Sequence, residues 1–303
     1  DILEFGGDVS SDPNVGMTDT RVDTNNIGNG YIVQENTEKR TLTTKEYLMS
    51  DNTIMVQQFS SPIHYYENGE YKEIDNTLVE TTNETGESVY KNTANSFTVE
   101  FDNTSKKNTD FVSIEEDGYD LQIGYKAKKS KKVKLKVKNP DKKDKTDYKK
   151  KKVKKPSKNN ATTSSIAYEN VETDTSLTYK IKNKGLISDI KISSRQDSYT
   201  YTFELQSSNL TLKQMEDGSI VATNKNGEEK FILLAPYITD ANGVYSNKVT
   251  YTLNETDGKT QLILTADSVW LNEQASFPVR ITPELKSVGK KNVKGASVYK
   301  DGT

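Results

Sequence analysis

The sequence contains no cysteine and a single histidine, His64. Those two facts exclude disulfide frameworks, zinc sites built on cysteine or several histidines, thiol nucleophiles and thioester chemistry. Long apolar runs are missing too, and none approaches the roughly 18 residues that a membrane-spanning helix needs. Large apolar side chains are scarce. Leu, Ile, Val and Phe together number 65 of the 303 residues, barely above the roughly 20% below which a chain stays disordered. A folded core is therefore predicted only if the polar excess sits in segments that do not join it. A net charge of −2 excludes a chain that is polyanionic or polycationic as a whole. With no leader peptide or initiator methionine at its start, the sequence is expected to be a mature or excised piece.

The charge is concentrated in one place. Between Lys126 and Lys158 there are 18 lysines against three acidic residues, Asp141, Asp144 and Asp147, so the rest of the chain is acidic. Lys132 to Lys138 alternates lysine with Val133, Leu135 and Val137, a period of two that predicts a strand with one apolar face. After Asn139-Pro140 the apolar content vanishes and like charges repel, which predicts a disordered loop over about 139–163. The first thirty residues are rich in turn formers and read as a flexible arm.

Elsewhere the pattern is that of strands. Residues 54–59, 96–101, 119–125, 198–205, 248–253, 260–265 and 277–281 are β-branched and aromatic and alternate in polarity. Asn68-Gly69, Asp117-Gly118, Asp217-Gly218, Asn226-Gly227, Asn242-Gly243 and Asp257-Gly258 punctuate them with dipeptides suited to tight hairpins. The best helical candidate is a turn or two over Asp267–Asn272. The expectation is an all-β, antiparallel β-sandwich of some fifteen to twenty strands. It forms either two packed modules or one large sandwich, with the Lys-rich disordered insertion between. The partition reads as an arm (1–30), a β module (31–125), the Lys-rich strand and insertion (126–163), a second β module (164–284) and a linker (285–303).

From Arg40 on, a succession of motifs resembles a known family. Residues 43–52, 61–78, 165–179, 210–219, 235–246 and 270–283 follow the order seen upstream of the repeats in large secreted bacterial RHS/YD-repeat proteins. Those include Gram-positive wall-associated proteins and their DNRLRE-domain relatives. The resemblance covers about residues 40–284 and departs over 1–39 and the Lys-rich insertion. It implies an exported, cell-wall-associated, non-catalytic β module that presents the downstream modules of the same polypeptide. It supplies no catalytic residues.

The side chains themselves single out little chemistry. His64 lies between apolar and aromatic neighbours, with no nucleophile elbow near it, and reads as a structural histidine of the hairpin formed by His64-Tyr65-Tyr66 and Tyr71–Ile74. Trp270 is expected to bury a large apolar area ahead of a strand, and Pro236, Pro278 and Pro283 to mark strand starts or edges. The Asp141-Asp144-Asp147 spacing does not match a calcium loop, while calcium at an Asp-rich turn such as Asp240–Gly243 is left open as a lesser alternative. No cofactor, no metal and no enzyme activity are expected. Lys149, Lys150, Lys151, Lys152, Lys154 and Lys155 are the candidates for holding a polyanion, the alternative being a solvated spacer. An anionic wall polymer fits the exported protein that the resemblance implies better than nucleic acid does, and either contact would be electrostatic, since the run offers point charges and a single ring, Tyr148. The many tyrosines leave a glycan-binding alternative open.

Overall fold

The computed structural model describes residues 20–22, 30–103, 112–127, 133–141, 147–157, 162–256 and 259–288. Twenty-three strands, one 3-10 turn (Thr37–Lys39) and one short α-helix lie among them. The chain begins with β1 (Thr20–Val22), β2 (Ile32–Glu35), β3 (Thr44–Met49) and β4 (Ile54–Phe59), which form a small sheet in the order β1-β4-β3-β2. The expected flexible arm thus includes a strand, β1, paired with β4; residues 1–19 and 23–29 lie outside the described residues. A hairpin follows, β5 (His64–Glu67) and β6 (Glu70–Glu73), closed by Asn68 and Gly69 at positive φ.

Next comes an antiparallel run of β7 (Asp75–Thr82), β8 (Ser88–Ala94), β9 (Thr98–Asp102), β10 (Val112–Glu116) and β11 (Tyr119–Tyr125). A second run holds β12 (Lys134–Lys138), β13 (Ser164–Glu172), β14 (Thr175–Lys182) and β15 (Gly185–Ile192). The chain then alternates between sheets through β16 (Thr200–Gln206), β17 (Thr211–Gln214), β18 (Ile220–Thr223) and β19 (Glu229–Thr239). It finishes with β20 (Tyr245–Ser246), β21 (Val249–Thr256), β22 (Lys259–Ala266), α1 (Ser268–Glu273) and β23 (Val279–Ser287).

Two large sheets result. One has eight strands in the order β21-β22-β16-β11-β10-β9-β8-β7. The other has nine, in the order β12-β13-β14-β15-β23-β19-β18-β17, with β20 beside β19. Alternation explains how each strand serves two environments: on β14, Leu177, Tyr179 and Ile181 point inward while Ser176, Thr178 and Lys180 point out. The inward faces share one core. Phe101 of the first sheet meets Tyr179 of the second at 5.6 Å between ring centres. The Tyr168 hydroxyl donates to the Asp102 carbonyl across the same gap at 2.7 Å, and the Tyr125 hydroxyl donates to Glu172 at 2.5 Å.

The two large sheets pack against one another as the expected antiparallel sandwich. β11 pairs with β16, placing Tyr125 opposite Phe203, so the eight-stranded sheet takes strands from both sides of the Lys-rich segment and the 125/164 boundary separates no sheets. The segment itself starts as expected, with β12 forming an edge strand on β13. Residues 147–157, expected to be disordered, are instead laid against the small sheet. Ile32 N–H donates to the Val153 carbonyl at 2.7 Å, and the Gln57 side chain donates to the Ser157 carbonyl at 3.1 Å. The physical reason is Tyr148, whose ring packs edge-on to Tyr47 at 5.9 Å and covers a cluster of Ile32, Met49 and Met55 too small to close by itself. Residues 142–146, 158–161 and 289–303 lie outside the described residues, and the expected linker contributes its first three residues to β23.

The prolines divide. Pro278 stands immediately before β23, after a cis peptide bond with Phe277. Pro236 and Pro283, expected at starts or edges, sit inside β19 and β23 in the middle of a sheet. The register between these two strands shifts from Leu234/Glu284 to Tyr237/Thr282, so both prolines fall in the interruption and no ladder bond is asked of them.

Candidate functional site

His64 is buried at 1% exposure on β5, with Nδ1 2.6 Å from the Thr41 carbonyl. A carbonyl only accepts, so Nδ1 carries the proton, and Nε2 has no hydrogen-bond partner. Burial pushes the imidazole pKa down to about 4, the Thr41 hydrogen bond opposing it, so the ring is neutral at pH 7. Tyr65 and Tyr66 continue the strand, Tyr66 meeting Tyr71 edge-on at 5.1 Å. Trp270 is far along the chain on α1. Its backbone N–H is capped by the Asp267 carboxylate at 2.9 Å, as expected of a helix N-cap. None of these side chains is brought next to another polar group in a catalytic geometry. Among the described residues no group of three or more His, Cys, Asp or Glu stands close enough to hold a metal ion.

Asp240 illustrates where acidic side chains go. Burial pushes its carboxyl up, but N–H donors from Ser276, Val244 and Asn242 outweigh that and hold it below the ordinary carboxylate range. The carboxylate organises a turn.

Positive charge is arranged on two surfaces. The first is the strap, residues 147–157. Lys150 pairs with Asp147 at 3.6 Å, and the Lys152 ammonium stands 5.4 Å from the centre of the Tyr31 ring. Lys149, Lys151, Lys154 and Lys155 are exposed, and no ion pair holds them among the described residues. Sequence reasoning named these lysines but did not foresee that Tyr148 anchors them.

The second surface was not legible from the sequence. On the solvent face of the nine-stranded sheet, register builds rows of side chains across strands. Lys138 lies opposite Ser165, which lies opposite Lys180. Lys136 lies opposite Ala167, then Thr178, then Asp189. Ser176 lies opposite Lys191, and Lys191 opposite Arg280. An open trough of about 210 Å³ runs between them. Its carboxylates are largely spent: Glu169 pairs with Lys136 at 2.8 Å, and buried Asp189 takes a hydrogen bond from Thr282 at 2.7 Å and faces Arg280 at 3.6 Å. Further along the same face Tyr237 and exposed Tyr245 stack on one another at 5.4 Å. The only sequence hint of this face was the alternation of β12, because its other cations come from β14, β15 and β23.

Comparison with known proteins gives three similar relatives. They are the tRNA3(Ser)-specific nuclease WapA of Bacillus spizizenii, the tRNA(Glu)-specific nuclease WapA of Bacillus subtilis subsp. natto and the tRNA nuclease WapA of Bacillus subtilis strain 168. Each is 26% identical over 260 residues, a match covering 82% of this chain and 10% of the relative. The chain thus spans about a tenth of the length of the curated relatives it matches. Neither a family model nor a solved structure matches it. The similarity is consistent with the expected secreted or cell-wall location. It also corrects one expectation. The sequence reading excluded an enzyme, whereas these relatives are named as nucleases. That reading weighed only the side chains visible in this sequence, where local spacing singles out no nucleophile and base. No helix among the described residues is long and apolar enough to cross a membrane.

Proposed function

We propose that this chain is a β-sandwich module of a wall-associated, toxin-type nuclease polypeptide of RHS/YD-repeat architecture, in which it presents the other modules at the cell surface. The observation that supports this reading is the pair of coverages: the match takes in most of the chain but a tenth of each relative. One continuous core joining both large sheets suits a rigid carrier. The test compares the whole polypeptide, the same polypeptide lacking residues 30–288, and the isolated chain, for wall retention and tRNA cleavage. The module reading expects the deletion to lose surface display. Unchanged display without the sandwich, or tRNA cleavage by the isolated chain, would reassign it.

A second reading, retention on anionic wall polymer through the strap, is favoured by four exposed lysines held on an anchored segment rather than on a free loop. Changing Lys149, Lys151, Lys154 and Lys155 to Gln leaves Tyr148 in place, and retention on purified wall at low salt is expected to fall. Equal retention refutes it.

A further inference from the structure

The lysines of β12 have an ordinary explanation. β12 is an edge strand, and charged side chains on an edge discourage pairing with other chains. That explanation does not reach the trough beside it. Lys180 lies two strands in from the edge, Lys191 three and Arg280 four, where every backbone ladder is already occupied. Solvent-facing positions in the middle of a sheet accept many polar residues, and here cations gather around a floor of small side chains, Ser165, Ala167, Ser176 and Thr178. Lys138, Lys180 and Lys191 carry no ion pair among the described residues, while the one carboxylate in the trough lining, Glu169, is taken by Lys136.

We infer that this trough binds a flexible phosphodiester polymer, specifically a polyol-phosphate chain of the cell wall. The charge spacing suits it. Lys138 and Lys180 flank Ser165 across two strand intervals, about 10 Å, and Lys191 and Arg280 are direct cross-strand neighbours about 5 Å apart. Phosphates strung on a flexible linker adapt to such uneven spacing. The hydroxyls of Ser165, Ser176 and Thr178 add donors at the floor, and the small side chains leave room for the backbone of the polymer. Nucleic acid fits less well, because no ring lines the trough and stacking on aromatic side chains supplies much of the binding of single strands. The location at the wall and the charge complementarity point to the same occupant. The site is separate from the strap, so it does not depend on the strap reading.

The probe is purified poly(glycerol phosphate), titrated into the full chain at 50 mM salt, with poly(U) of similar length as the competitor class. With the three unpaired lysines contributing, raising salt to 200 mM is expected to weaken binding by about 20-fold, using the counterion coefficient of single strands. Changing Lys138, Lys180 and Lys191 together to Gln is expected to weaken polyol-phosphate binding at least tenfold at low salt and to flatten the salt dependence. The strap variant with Lys149, Lys151, Lys154 and Lys155 changed to Gln is expected to keep the trough affinity. An unchanged urea midpoint shows that the trough variant is folded, as expected for solvent-facing side chains. The inference is overturned if the wild-type chain ignores the polymer, if the trough variant binds like the wild type, or if poly(U) binds as tightly. Loss of binding in the strap variant with none in the trough variant would overturn the trough while leaving the strap reading intact.

Discussion

Tyr179 and Tyr168 offer a paired test of how the sandwich core is held. Both rings lie between the large sheets, 6.2 Å apart and edge-on to one another. Their hydroxyls fare differently. Tyr168 donates to the Asp102 carbonyl at 2.7 Å, whereas the Tyr179 hydroxyl is buried with no partner. Burial alone pushes the Tyr179 pKa far above the ordinary phenol value, so the group stays a neutral, unpaired O–H. An unsatisfied buried polar group costs about 1–3 kcal/mol. Tyr179→Phe removes it and keeps the contact with Phe101, leaving a void of one oxygen that costs roughly 0.3 kcal/mol. The net expectation is a gain of about 1–2 kcal/mol. Tyr168→Phe has the same change of volume but breaks a made hydrogen bond, so it should lose about 1–2 kcal/mol. Urea unfolding at 25 °C reads the difference as midpoints moving in opposite directions at constant slope. If Tyr179→Phe destabilises the chain as much as Tyr168→Phe does, the hydroxyl has a partner and the reasoning is refuted.

Three further outcomes are expected. His64 has its pKa lowered to about 4 by burial, so its contribution to stability is present above the unfolded value near 6.5 and is lost as pH falls toward 4. Glu116, raised to about 7 by burial, runs the other way: its contribution is full below 4.5 and is lost as pH rises through 7. Each amounts to about 3 kcal/mol over its window, so the two oppose between pH 4.5 and 6.5. His64→Leu should make stability fall with rising pH there, and Glu116→Gln should make it rise; unfolding titrations showing parallel profiles would contradict the assignment. A Cβ at Gly185 would overlap the Leu285 carbonyl on the neighbouring strand, so Gly185→Ala should cost about 3 kcal/mol or more, against about 1 kcal/mol at Gly69, where φ is +91° but the space is open. Thermal melts separate the two, and equal losses would mean that β15 can move away from β23. Tyr148→Ala removes the anchor of the strap, and trypsin cleavage after Lys149–Lys155 should accelerate about 5- to 30-fold, matching roughly 1–2 kcal/mol of lost packing; an unchanged rate would show that the strap's other contacts hold it without Tyr148.

Local chemistry made much of the secondary structure readable. The β-branched and aromatic runs became β4, β9, β11, β16, β21, β22 and β23, and the turn over Asp267–Asn272 became α1. Asp117-Gly118 takes positive φ at both positions, as its composition predicted. Even β12 was visible inside the lysine run, because an alternating face is written in neighbours two residues apart. Pairing partners were not. β11 finds β16 across some seventy-five residues because both bury one face against the same opposing sheet, and no short-range spacing encodes that choice. Tyr148 looked like a stray ring in a charged loop until the small sheet supplied an apolar patch to cover. Lys138, Lys180, Lys191 and Arg280 were each unremarkable in sequence. Alternation placed each on a face; only strand order and register, set by the core beneath, brought the four together.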